Sequence, residues 1–207
     1  MRRLALIPAA LLLALGACGD GEDEPEDPVE TADTEQTPSI DPSEPVELDL
    51  EGAGGACPLI DGSKLNEITG EDFRFASGGP EEGESQEDAP DQATCAVQTG
   101  DAAYPDLTLY VIGTDASVEV YEENSIPEGA ENTEDLGEAG YWIVHDEDTG
   151  AGPALEMGWY DSGDFFEMRY TTPAETDPAV VEDLVDGFTE LAVGINDSHA
   201  AEDEDDQ

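Results

Sequence analysis

The chain has 207 residues, of which 54 are acidic and five basic, and its formal net charge is −49. A surface so charged repels phosphate backbones and anionic headgroups, which excludes nucleic-acid binding and electrostatic docking on membranes. Charged partners, where there are any, are cations.

Met1-Arg2-Arg3 precedes an apolar run from Leu4 to Leu15, which ends Leu15-Gly16-Ala17-Cys18. This positive, hydrophobic, small-residue order predicts an export signal over residues 1–17. The apolar run falls short of the roughly 20 residues that a membrane-spanning helix needs. The end of the signal resembles the bacterial lipobox, which implies cleavage before Cys18 and lipidation of its sulfur. A diacylglycerol carries two acyl chains, and at about 0.8 kcal/mol per buried methylene two chains hold where one is marginal. The expected location is then the extracytoplasmic face of the cell membrane, reached through the lipid. The alternative is an ordinary secretory signal with a free cysteine at its edge.

Residues 18–55 are acidic and carry Pro25, Pro28, Pro38, Pro42 and Pro45. Such a stretch buries too little apolar surface to offset the entropy of ordering, so it reads as a disordered tether. Residues 197–207, ending Glu202-Asp203-Glu204-Asp205-Asp206, read as a disordered tail. Between them lies one domain, residues 56–196, with 34 acids against Lys64, Arg74 and Arg169, a net charge of about −31. Small soluble domains carry magnitudes of roughly 2 to 8, so this one needs its self-repulsion screened and suits a saline habitat.

With Cys18 assigned to lipid, Cys57 and Cys95 remain as an even pair in an oxidising compartment, and a disulfide is the natural reading. Zinc is the poorer one: two sulfurs need two further ligands, and the histidines are only His145 and His199.

Along the domain, Asp61 caps a short helix carrying Leu65 and Ile68, which Gly70 ends. Phe73 and Phe75 begin a first strand, and Ser77 to Gln92 is a loop. Cys95-Ala96-Val97 follows, then a strand with Leu107, Leu109 and Val111 on one face. Thr114-Asp115 caps a helix through Tyr121, although Val118 and Val120 alternate as a strand would. Tyr141-Trp142-Ile143-Val144 forms a buried strand. Leu155, Met157 and Trp159 alternate in the next, and Asp161-Ser162-Gly163-Asp164 turns the chain. On the return Phe166, Met168 and Tyr170 point one way, while Phe165, Glu167 and a solvated Arg169 point the other. Asp177-Pro178 opens a last helix with Val181, Leu184, Val185, Phe188, Leu191, Ala192 and Ile195 at helical spacing. These patterns together predict an α+β domain, an antiparallel sheet with helices packed on one face.

The lipobox, the tether, Cys57-Pro58-Leu59-Ile60 opening a short helix, a second cysteine at a strand start, Leu136-Gly137-Glu138-Ala139 before an aromatic strand, and the closing helix recur together elsewhere. In that order they resemble the small actinobacterial lipoproteins of domain-of-unknown-function family 3558, from Cys57 to Ile195. The resemblance implies a cell-envelope location and the disulfide, and implies no activity.

The residues supply no catalytic set. There is no Gly-x-Ser-x-Gly elbow, and His145, beside Asp146, reads as a strand-end histidine. The cluster Asp146-Glu147-Asp148-Thr149-Gly150 offers oxygens for calcium without the twelve-residue calcium loop and reads as an acidic turn. Gly52-Ala53-Gly54-Gly55 lies in the tether with no strand before it and cradles no phosphate. The expectation is a noncatalytic binding or interaction module of the envelope, without cofactor, that holds an envelope ligand or partner protein. The alternatives are an extracytoplasmic hydrolase using paired carboxylates and an acidic surface protein that takes up cations weakly.

Overall fold

Two antiparallel meanders, joined edge to edge, build the sheet of this protein. The computed structural model describes residues 47–80, 92–100, 105–146 and 151–205. The signal with Cys18, the tether up to residue 46 and residues 147–150 of the acidic turn lie outside the described residues.

The first meander is β1 (Phe75–Gly79), β2 (Gln92–Gln98) and β3 (Leu107–Gly113), and the second is β4 (Glu131–Thr133), β5 (Ala139–His145), β6 (Ala154–Asp161) and β7 (Asp164–Thr171). β3 pairs with β7, so the seven strands run β1-β2-β3-β7-β6-β5-β4, all antiparallel. The β6–β7 hairpin closes through Ser162 and Gly163, both at positive φ (53° and 106°), the backbone that a two-residue loop requires.

One face of the sheet carries the main core. Val97, Leu107, Leu109, Leu155, Met157, Trp159, Phe166, Met168 and Tyr170 all point into it, as strand alternation dictates. It is covered by a 3-10 turn (Cys57–Leu59), α1 (Gly62–Thr69), α3 (Pro178–Glu182) and α4 (Val185–Asp205). Asp61 caps α1 by accepting from Ser63 N and Lys64 N, and Gly70 ends it in the left-handed region at φ 70°. The Cys57–Cys95 disulfide ties the 3-10 turn to β2, with both cysteines buried.

The fourth helix, α2 (Val118–Asn124), lies on the opposite face, where Tyr121 packs with Tyr141 and Tyr160. Topology explains its place. The chain leaving β3 must pass β7, β6 and β5 to reach β4 at the far edge, and α2 forms on that crossing. Its N-cap is Ser117, three residues beyond the expected Thr114-Asp115; Thr114 Oγ1 instead accepts from Ala116 N inside the preceding loop.

Other boundaries also shift. The ordered chain begins before residue 56: Leu48, Leu50 and Ala53 pack against the core, and Gly78 N donates to Ala53 O at 3.1 Å. The glycines placed in the tether thus line the β1 edge, with Gly54 O where a Cβ on Gly78 would stand. β1 extends to Gly79, into the expected loop. The last helix is broken at Asp183-Leu184, and α4 runs through Asp205, beyond the domain end expected at residue 196. Residue spacing accounts for the extension: His199 follows Ile195 by four, shares its face, and lies 6 % exposed with its ring 5.1 Å from Phe166.

Candidate functional site

The outer face of β5, β6 and β7 gathers the chain's polar chemistry. Strand register arranges it in rows. In one row Tyr141, Gly158 and Glu167 lie side by side, and in the next Ile143, Glu156 and Arg169. A third row, Ala139, Tyr160 and Phe165, sits under α2.

Glu156 is the hub, its side chain 13 % exposed. Tyr141 Oη donates to Oε1 at 3.1 Å, and His145 Nε2 lies 2.9 Å from Oε2. A carboxylate only accepts, so the histidine nitrogen is the donor. Arg169 Nη1 stands 3.6 Å from the same oxygen. Two hydrogen-bond donors of β5 and one guanidinium of β7 therefore converge on one carboxylate.

Gly158 makes this possible. A Cβ there would lie 2.5 Å from the Tyr141 ring, which uses the space across the strand. Burial first, then the Glu156 charge and their hydrogen bond, push the Tyr141 hydroxyl well above its ordinary pKa. It is a phenol held in its neutral, donating form.

Glu167 is half-buried, and burial followed by the charge of Glu156 raises its carboxyl above the ordinary range, against the opposing pull of Arg169 and His145. None of the described residues donates a hydrogen bond to it. Tyr121 of α2 stands over the third row, its ring 5.9 Å from Tyr160 and 5.5 Å from Phe165. The Tyr160 hydroxyl donates to Ala116 O at 2.8 Å, whereas the buried Tyr121 hydroxyl has no hydrogen-bond partner. Burial, then Glu167, then Glu156 drive its pKa up.

Of the residues singled out in the sequence, Cys57 and Cys95 form the disulfide, and His145 ends β5 as a strand-end histidine, with its ring turned to Glu156. His199 belongs to the main core, 4.0 Å from Asp164. Arg169 lies as expected, its side chain 40 % exposed beside the acid Glu156. Among the described residues no three of His, Cys, Asp and Glu converge to hold a metal ion. Glu156, Glu167, Tyr121 and Tyr141 escaped sequence reasoning as a set. Their signal was the period-two pattern of three adjacent strands, legible only once those strands are known to pair.

Grooves open on other surfaces as well. Among them, one of about 550 Å³ lies between Trp142 and Val193 of α4, one of about 680 Å³ beside Leu48 and Phe73, and a smaller one of about 420 Å³ between Pro58 and Glu190. Among the described residues, none of these three is lined by an unsatisfied buried polar group. No helix among the described residues is long and apolar enough to cross a membrane.

Comparison with protein-family models, with curated proteins and with solved structures gives no match to this chain.

Proposed function

We propose that the protein is a lipoprotein anchored through Cys18 on the extracytoplasmic face of a membrane, with a folded domain that binds an envelope ligand or partner and catalyses no reaction. One observation carries the noncatalytic reading: the Glu156 carboxylate is already engaged by Tyr141, His145 and Arg169. A general base needs a free lone pair directed at substrate, and a nucleophilic phenol needs a lowered pKa. Glu156 is occupied, and Tyr141 is shifted the other way. The network is built to stay still, as a binding surface must.

The buried Cys57–Cys95 disulfide supports an oxidising compartment. The anchor, and the kinship with the actinobacterial lipoproteins, rest on the sequence motifs. The charge of −49 favours a cationic ligand over an anionic one.

A hydrolase is the second reading, favoured by Glu167, a carboxyl held above its usual range beside a second carboxylate on the neighbouring strand. Environments that separate two carboxyls are how acid–base pairs are made.

Recovery of the protein from its native envelope tests the first reading. Mass spectrometry is expected to find diacylglycerol on an amino-terminal Cys18, and the purified material is expected to carry a bound ligand or partner. An unmodified amino terminus, or a cytoplasmic location, would refute the anchor. Turnover of glycoside or ester substrates that disappears in Glu167→Gln would replace the binding reading with the hydrolytic one.

A further inference from the structure

We propose that the groove between β4 and α4 receives a basic extended segment of a partner protein, which adds to the edge of the sheet and lays a cationic side chain on Trp142. The inference rests on the reading of the domain as a binding module, and names one surface that binds and the chemistry it takes.

Two features meet at this groove. The first is a sheet edge. β4 ends the strand order and pairs with β5 alone, so among the described residues no strand lies along its other side. Such an edge templates a further strand. Main-chain hydrogen bonds then supply affinity, and pockets for alternate side chains supply selectivity. The second feature is a pocket beside that edge. The groove holds about 550 Å³, within the roughly 300–1,000 Å³ of ligand clefts, and reaches from β4 to the stripe of α4 that carries Val185 and Val193. Trp142 and Val185 pack on the margin of the main core, which fixes the floor. Val193 is 37 % exposed, one of few large apolar side chains that the described residues leave open.

Charge selects the occupant. The charged residues lining the groove are the acids Asp135, Asp186 and Glu190, and among the described residues no lysine or arginine lines it. Glu190 is paired with Lys64, whereas Asp135 and Asp186 are exposed and have no ion pair among the described residues. Glu131 adds a further carboxylate on β4 itself. A guanidinium or ammonium placed between these carboxylates and the indole gains from both, because tryptophan is the best cation–π partner and arginine also stacks. A small free cation would leave the strand edge unused. A second copy of this chain would bring a domain of about −31 against the same carboxylates. A basic strand uses the edge, the apolar floor and the acids together.

Fluorescence titration of the full chain tests this, in about 0.5 M salt to screen diffuse attraction to the acidic surface. Of the two tryptophans, Trp159 is fully buried and Trp142 is open to acrylamide, so quenching reports on the groove. The probes are a short capped peptide of alternating valine and arginine, its glutamine analogue, its backbone N-methylated analogue, and arginine amide. Saturable one-site binding of the first is expected, with protection of Trp142 from the quencher. Affinity is expected to fall roughly tenfold or more when Asp135→Asn and Asp186→Asn are combined, and again in Val193→Lys. Glu122→Gln, on exposed α2, changes the net charge as much as Val193→Lys does and should leave binding unchanged. Thermal melts establish that each variant is folded. The proposal is overturned by the absence of saturable binding of the arginine peptide, by equal binding of the glutamine or N-methylated peptide, by equally tight binding of arginine amide, or by undiminished binding in either groove variant. Each of these results leaves the recovery and turnover experiments to judge the noncatalytic reading separately.

Discussion

At position 158 an added methyl group would stand 2.5 Å from the Tyr141 ring, and the ring cannot retreat without releasing Glu156. Gly158→Ala is therefore expected to lower stability by about 1–3 kcal/mol, the usual cost of overpacking a filled site. Urea unfolding checks the magnitude. Glu167 makes a prediction of opposite sense. Burial raises its folded pKa above the ordinary 4.5, so the folded state holds the proton more tightly than the unfolded chain does. Its contribution to stability is then fully present below pH 4.5 and lost as pH rises through the folded value. Glu167→Gln should be more stable than the parent at neutral pH, and the difference should shrink as pH falls towards 4.5. Melting both proteins across that range is the check; a difference that grows on acidification would refute the assignment. Tyr170, buried in the main core and pushed up to about 12, belongs with Tyr121 and Tyr141 among phenols that resist ionisation while the fold persists.

Among the elements, the 3-10 turn holds its place chiefly through Cys57. The disulfide closes a sequence separation of 38 residues, and Ala56 N donates to Thr94 O beside it. Replacing both cysteines by alanine should cost about 4 kcal/mol in the chain-entropy account, with loss of the packing of Leu48 and Leu50 as well. Chemical denaturation of the double variant measures it. The strands and the caps of α1 and α3 were legible locally, because alternation and Asx caps act over a few residues. The end of α4 was not. Its last residues are acidic and read as disordered on composition, but His199 packs on Phe166, a contact made across 33 positions of chain. The start of α2 was misplaced for a similar reason: both Thr114 and Ser117 are cap-type residues, and the tertiary position of Tyr121 over Tyr160 favours the second.

For the whole molecule, the charge of −49 sets the conditions under which any of these contacts persist. The described residues pair lysine or arginine with acids at Lys64 and Glu190, at Arg74 and Asp72, and at Arg169 and Glu156, far fewer cations than the acids present. Screening should stabilise the fold: the Debye length falls from about 8 Å at physiological ionic strength to about 3 Å in molar salt. The melting temperature is expected to climb steadily from low to molar sodium chloride. A midpoint that does not move would show that the acidic surface is relaxed without salt.

The sequence by itself determined the α+β class, the pairing of the two domain cysteines and the inward faces of most strands, because each follows from short-range periodicity or from a count. It also carries the whole of the argument for an anchor at Cys18. Only the tertiary structure decided that Tyr141, Glu156, Glu167 and Arg169 share one face with Tyr121 above them. That neighbourhood depends on which strands pair, on their register and on the path of the β3–β4 crossing, and these are properties of contacts between distant segments that no local pattern encodes.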